Sequence, residues 1–330
     1  MSSTVEKYKK VIKEKFSQAE IMVIGDLMVD EYVLGNVTRI SPEAPIPILN
    51  YKQQKRIAGG ASNVAFNMAS LGSKVMVAGV LGNDDAGEWL KGHMKKYGIN
   101  VEGIVGENER PTTVKRRFAT KNQQLLRVDI EETQAVYADT EKKIINVLQN
   151  SIGNLKAVVL SDYQKGMFTN SKFVRELISI CRKNDVIITI DSKSNDIEAF
   201  EGATFVKPNN LELEKAVGIK IVDEKTLDEA GECYLRRSGA KALMVTRGAM
   251  GISLFMDGSK RKDFPSKAVQ VYDVTGAGDT VISTVTLGMA AGLSLEEAIV
   301  LGNIAAGIVI SKVGTAPVES KELLEMIYEK

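Results

Sequence analysis

Asp273-Val-Thr-Gly-Ala-Gly-Asp279 stands directly before a run of small apolar residues, Thr280-Val-Ile-Ser-Thr-Val-Thr-Leu-Gly-Met-Ala-Ala-Gly292. From Gly276 to Ser311 the pattern predicts two tightly packed buried helices, joined by a polar cap at Ser294 with Glu297 three residues on. Two glycines before a helix let the backbone approach a ligand closely. The first N–H groups of that helix carry partial positive charge suited to a phosphate or a developing anion. Asp279 then falls in the first helical turn, where a carboxylate can take a proton from a hydroxyl. The same spacing also serves a plain tight turn with an acidic helix start. Spacing alone does not separate the two.

Outward from this point, short apolar runs alternate with helical patterns. Ile21–Gly25, Lys74–Gly82, Ala157–Ser161, Val186–Asp191, Thr204–Lys207 and Ala242–Thr246 read as buried strands. Ala61–Leu71, Asp85–Tyr97, Asn170–Asn184 and Lys225–Ser238 carry apolar residues at helical period. This rhythm predicts an α/β fold: a doubly wound, mostly parallel sheet flanked by helices. Tyr32–Ile57 and Pro111–Ile130 break the rhythm with strand-like alternation, the first interrupted by Pro42, Pro45 and Pro47. Both read as antiparallel strands outside the main sheet, forming a small β-sheet lid over one end of a single domain spanning residues 1–330.

Composition narrows the chemistry. With 43 Lys+Arg against 42 Asp+Glu, the net charge of +1 makes no case for nucleic acid or an anionic membrane as main partner. The single histidine, His93, leaves little room for a Ser-His-Asp hydrolase or a multi-histidine metal site. Cys181 and Cys233 stand far apart in no metal-ligand spacing, as in a reducing cytosol. No apolar run reaches about 18 residues and the N-terminus is charged, so a cytoplasmic protein is expected. A P-loop, a G-x-G-x-x-G after the first strand and the protein-kinase H-R-D and D-F-G elements are all missing. That also disfavours a dehydrogenase. Asp30 follows the first strand, where loop and cap roles are common for such a residue. Asn209-Asn-Leu-Glu212 fits a helix start with Asn209 as cap and Glu212 three residues on.

Asp273–Asp279, together with Gly59-Gly60-Ala61-Ser62-Asn63-Val-Ala65 over 200 residues earlier, resembles the paired signatures of the ribokinase-like (PfkB-type) sugar kinases along essentially the whole chain. The resemblance implies an ATP-dependent kinase with Asp279 as catalytic base and Gly276, Ala277 and Gly278 as anion hole. It implies sugar contacts from Asp30, Gly59, Gly60 and Asn63. Asn209 and Glu212 would organise Mg²⁺ and phosphates, Glu212 through water. Thr246, Gly248 and Gly251 resemble the nucleotide-side loop, and Asn303 the adenine-side wall. Asp273, Thr275 and Gly314 match where some relatives hold a monovalent cation such as K⁺. A non-catalytic sugar or nucleotide sensor would be expected to have lost these signature residues.

Arg39–Pro45, Asn122–Arg127 and Ser161-Asp-Tyr-Gln-Lys-Gly166 further resemble the bacterial kinases that phosphorylate O1 of D-glycero-β-D-manno-heptose 7-phosphate. A substrate that already carries a phosphate calls for a basic clamp. Lys115, Arg117, Lys121 and Arg127 on the lid are candidates, with Arg127 and Lys165 leading. Ribokinase, fructokinase and ketodeoxygluconate kinase are the alternatives, and their substrates need no such clamp. The related bifunctional enzymes carry a nucleotidyltransferase domain after the kinase. Because the sequence stops at Lys330, that activity is expected on a separate protein. A homodimer through the lid is also implied.

Overall fold

The computed structural model describes residues 3–266, 274–312 and 317–328. Thirteen strands are present among them: β1 (Glu20–Gly25), β2 (Leu27–Ile40), β3 (Pro47–Gly60), β4 (Lys74–Gly82), β5 (Asn100–Glu107), β6 (Thr113–Ala119), β7 (Gln124–Ile130), β8 (Ala157–Asp162), β9 (Ile187–Ser192), β10 (Phe205–Val206), β11 (Ala242–Thr246), β12 (Ile252–Met256) and β13 (Lys262–Phe264). Nine form the main sheet in the order β13-β12-β11-β10-β9-β8-β1-β4-β5. Pairing is parallel from β5 to β11, and β12 and β13 close one edge antiparallel.

The central strands are unbroken apolar runs because both of their faces are covered. Ile21 and Val23 of β1 enter one core, beside the helices Ala61–Ser70, Ala277–Ala290 and Leu295–Ile310. Met22 and Ile24 enter a second core, beside the helices Ala138–Ser151, Ser171–Lys183 and Glu224–Ser238. Side chains alternate across a strand, so each strand supplies both cores. The Ser294–Glu297 cap forms as expected, as a reciprocal capping box at the head of Leu295–Ile310.

The lid is a four-stranded sheet, β3-β2-β6-β7. Its first segment is longer than the expected 32–57: β2 begins at Leu27 and β3 ends at Gly60. Leu27, Met28 and Val29 are buried, so in sequence they blend into the apolar run of β1. A second correction concerns direction. β2 pairs antiparallel with β3, and β6 with β7, but the two hairpins join through a parallel β2–β6 pair. Hairpin periodicity specifies each ribbon but not how two ribbons meet. Pro42 and Pro45 lie between the strands and Pro47 opens edge strand β3, where a missing N–H costs no ladder bond.

Candidate active site

The chemistry-bearing residues collect where the parallel strands end. Asp26 follows β1, Asp162 and Tyr163 close β8, Asp191 lies near the end of β9, and Lys207 follows β10. In open α/β sheets this carboxyl edge is where ligands bind.

Asp279 sits in the first turn of the helix Ala277–Ala290 and is only 9% exposed. Asn63 Nδ2 donates to its Oδ2 at 2.7 Å, and the Tyr163 hydroxyl donates to its Oδ1 at 2.5 Å. Burial, with the nearby charge of Asp191, raises its pKa above the usual aspartate value. Gly276 precedes the helix at φ 82°, a left-handed conformation costly for residues with a Cβ, and no side chain caps this N-terminus. Lys207 lies alongside: a Cβ placed on Gly278 would sit 3.4 Å from its Nζ. Burial works against the Lys207 ammonium, but Asp191, 2.9 Å away, outweighs it and holds the pKa above the ordinary lysine value. A helix N-terminus and a buried ammonium thus frame one small volume beside a carboxylate, a setting for a phosphoryl group in transfer.

On one side of Asp279 opens a cavity of about 660 Å³. It is lined by Gly278 and Asp279 and by all six residues expected at the nucleotide: Asn209, Glu212, Thr246, Gly248, Gly251 and Asn303. The alternative roles of Asn209 and Glu212 coexist. They form a reciprocal capping box, Glu212 N–H to Asn209 Oδ1 at 2.9 Å and Asn209 N–H to Glu212 Oε2 at 2.8 Å, which leaves Glu212 Oε1 outside the cap. Asn303 Nδ2 also donates to the Phe264 carbonyl at 3.0 Å. No group of three or more His, Cys, Asp or Glu able to hold a metal occurs among the described residues. Glu212, with one carboxylate oxygen outside the cap, suits a divalent ion held mainly by phosphates and water. Thr275 is described, whereas Asp273 and Gly314 lie outside the described residues.

On the other side lies the lid. Asp30 stands on β2 opposite Lys115 of β6, and Arg117 Nη1 donates to Asp30 Oδ1 at 2.5 Å. A Cβ on Gly59 would fall 2.4 Å from Asp30 Oδ2, so the glycine leaves room for that carboxylate. Gly60 brings β3 into the helix that carries Asn63, and the Ala61 N–H donates to the Asp26 carbonyl at 3.0 Å. Lys115 and Lys193 place their ammoniums 5.7 and 4.2 Å from the centre of the Tyr163 ring. Burial lowers the Lys115 pKa. Lys193, Lys165 and Arg117 crowd it in the same direction, against the pull of Asp30.

The expected clamp residues are placed less centrally. Arg127, with its side chain half exposed on edge strand β7, pairs with Asp129 at 2.9 Å. Lys165 pairs with Glu131 at 2.8 Å, and Lys121 lies exposed in the β6–β7 turn. Lys207, Asp191, Lys193 and Tyr163 were not singled out from sequence. The available signal was a charged residue at the end of an apolar strand run, as in Ile-Thr-Ile-Asp191 and Phe-Val-Lys207.

Residues 18–322 match the model of the pfkB family carbohydrate kinases. The chain belongs to that family. This pfkB kinase is similar in fold to ribokinase of Arabidopsis thaliana complexed with ribose and ATP (TM-score 0.74, 21% identity, 94% of this chain and 98% of that one). Phosphofructokinase-2 of Escherichia coli in complex with fructose-6-phosphate is likewise similar (TM-score 0.75, 18% identity, 94% and 98%). Curated relatives are nearer in sequence. The bifunctional protein HldE of Desulfatibacillum aliphaticivorans is 41% identical over 96% of this chain and 64% of its own length. That of Pseudomonas aeruginosa (strain LESB58) is 40% identical over 95% and 65%. The pfkB chain thus spans a little under two thirds of these relatives. It is an ATP-dependent carbohydrate kinase of the ribokinase fold, and no helix among its described residues is long and apolar enough to cross a membrane.

Proposed function

We propose that this kinase transfers the γ-phosphoryl group of ATP to O1 of D-glycero-β-D-manno-heptose 7-phosphate, with residues 1–330 forming one kinase domain. The observation that carries the reading is a group of cations beside the lid, where Lys115, Arg117, Lys165 and Lys193 gather about Asp30 and Tyr163, with Lys193 and Tyr163 also lining the nucleotide cavity. Arg117 is neutralised by Asp30 and Lys165 by Glu131, whereas no described carboxylate forms an ion pair with Lys115 or Lys193. A half-buried ammonium, Lys115, and an exposed one, Lys193, neither with a carboxylate partner, suit a phosphate carried by the sugar. Lys115 and Lys193 therefore replace Arg127 as the leading clamp residues, with Lys165 beside them. The similarity to the HldE proteins points to the same sugar.

Asp30 and Asn63 orient the sugar, and Asp279 accepts the proton of the attacking hydroxyl. The sugar oxygen forms its bond to the γ-phosphorus as the bond to the β-phosphate oxygen breaks, and ADP leaves. Lys207 and the amides at Gly276–Gly278 hold the charge on the moving phosphoryl group. Glu212, through water, would hold Mg²⁺, which supplies charge neutralisation on the phosphates. Exposed apolar residues on the lid strands, Ile40, Tyr51, Leu126 and Val128, support a homodimer through the lid.

The deciding experiment measures ADP release from ATP and Mg²⁺ with the heptose 7-phosphate, fructose 6-phosphate, fructose and ribose in parallel. Turnover confined to the heptose phosphate is the expected result. Preference for an unphosphorylated sugar would overturn the reading.

A further inference from the structure

Tyr163 stands between the lid and the nucleotide cavity that it helps to line. Its hydroxyl donates to Asp279 Oδ1 at 2.5 Å, while its ring lies 4.2 Å from Lys193 Nζ and 5.7 Å from Lys115 Nζ. The loop that carries it is held from beneath. The N–H groups of Tyr163, Lys165 and Met167 donate to the buried carboxylate of Asp26 at 2.7, 3.0 and 3.3 Å. Between them Gln164 takes φ 57°, uncommon for a residue with a Cβ, and its N–H donates to Asp162 Oδ1 at 2.7 Å. Three amides on one carboxylate and a left-handed residue leave the backbone little freedom. The contacts of the Tyr163 ring and hydroxyl then decide where its oxygen points.

We propose that Tyr163 is a positioning residue that links recognition of the phosphate already on the sugar to the orientation of the base Asp279. The inference rests on the phosphorylated-sugar reading above. A phosphate that draws on Lys115 and Lys193 fixes both ammoniums, and cation–π attraction to each then restrains the ring. A phenol is rigid from ring to oxygen, so a restrained ring restrains the donor on Oδ1. Asn63 already holds Oδ2. Each carboxylate oxygen keeps a second lone pair, and with both first bonds set, the carboxylate plane is fixed for the acceptor hydroxyl. The phenol does not compete as base: burial and the Asp279 charge hold its pKa well above the ordinary tyrosine value. A sugar without a phosphate leaves the two lysines and the ring less restrained. Discrimination between the two sugars therefore falls on kcat as well as on KM.

The test is Tyr163→Phe, which keeps the ring and removes the donor, assayed with the phosphorylated sugar and its dephosphorylated counterpart. The expected kcat on the phosphorylated sugar falls roughly 10–100-fold, with KM for that sugar changed less than about threefold. The acid limb of the pH–rate profile moves to higher pH, because a lost donor no longer favours the charged carboxylate. The kcat ratio between the two sugars collapses toward one. An unchanged kcat and acid limb would overturn the proposal, and so would a lower kcat with the ratio preserved. Should the variant fold poorly, 3-fluorotyrosine at position 163 supplies a stronger donor and is expected to move the acid limb downward; no movement counts against the link. If the wild type ignores the heptose phosphate but turns over fructose 6-phosphate, the sugar assignment fails alone, and the same comparison is made with fructose 6-phosphate and fructose. Wild-type turnover equal on phosphorylated and unphosphorylated sugars would sink the link itself.

Discussion

Asn63 and Asp279, 216 residues apart, meet through a 2.7 Å hydrogen bond from Nδ2 to Oδ2. Each sits in the first turn of its helix, and the two helices are also tied by the Thr280 hydroxyl donating to Asn67 Oδ1 at 2.9 Å and the Ser283 hydroxyl to the Val64 carbonyl at 3.0 Å. The two glycine-containing signatures are thus faces of one site. The bond also places the sugar-side helix in direct contact with the base.

Asp279→Asn is expected to lower kcat by roughly 10²–10⁴-fold, with KM for ATP nearly unchanged, because the amide cannot accept a proton but fills the same space. In the wild type, burial raises the Asp279 pKa, so the base becomes protonated at a higher pH than an exposed aspartate would. As pH falls, kcat/KM should therefore begin to drop above the ordinary value of about 3.9. A pH–rate profile with its acid limb at or below that value would count against the assignment.

Lys207 and Asp191 form a buried pair at 2.9 Å. Lys207→Met removes one partner and strands the other charge, which costs about 3–5 kcal/mol in comparable buried pairs. A lower melting temperature together with lost turnover is expected. In the double variant with Asp191→Asn, stability should largely return but turnover should not, since the phosphoryl group has lost its ammonium. Recovery of both would make Lys207 purely structural.

Gly59→Ala places a Cβ where Asp30 Oδ2 now lies, at a separation of 2.4 Å. Asp30 must swing away and give up its bond to Arg117. Loss of one charge-assisted contact to the sugar is worth about 1.5–3 kcal/mol, so KM for the sugar should rise roughly 10–100-fold. Steady-state kinetics should leave KM for ATP within about twofold. A parallel rise in both constants would mean that the lid as a whole had shifted.

Lys115→Met and Lys193→Met should each raise KM for the phosphorylated sugar by roughly 10-fold or more while sparing an unphosphorylated analogue. Arg127→Ala, which removes a half-exposed side chain paired with Asp129, should change it far less. Isothermal titration with the sugar phosphate and its dephosphorylated form gives the same comparison free of turnover. Equal losses for both ligands would remove the lysines from phosphate recognition.

Much of this architecture was legible in the sequence because it depends on short-range pattern. Apolar runs such as Lys74–Gly82 and Ala242–Thr246 are strands at the residues expected, since a strand covered on both faces must be apolar throughout. The turn before Asp279 and the Ser294–Glu297 cap are likewise local backbone chemistry. The helix Ala138–Ser151 and the strands β5, β12 and β13 went unread. In β5 the glycines and half-buried positions blur the alternation, and β13 has only three residues.

What sequence could not decide is which charges meet. Lys207, Tyr163, Lys115 and the pair Asp191 and Lys193 lie on four separate segments, and no local pattern says which of them meet. They converge because parallel strands all end on the same edge of the sheet and the lid folds back over that edge. The same geometry left Arg127, as basic as its neighbours in sequence, on an outer strand beside Asp129. Residue type and spacing determined the fold and marked the residues proposed as base and anion hole. Long-range packing alone determined which cations face the sugar, because an ammonium's role is set by the charges and the water around it.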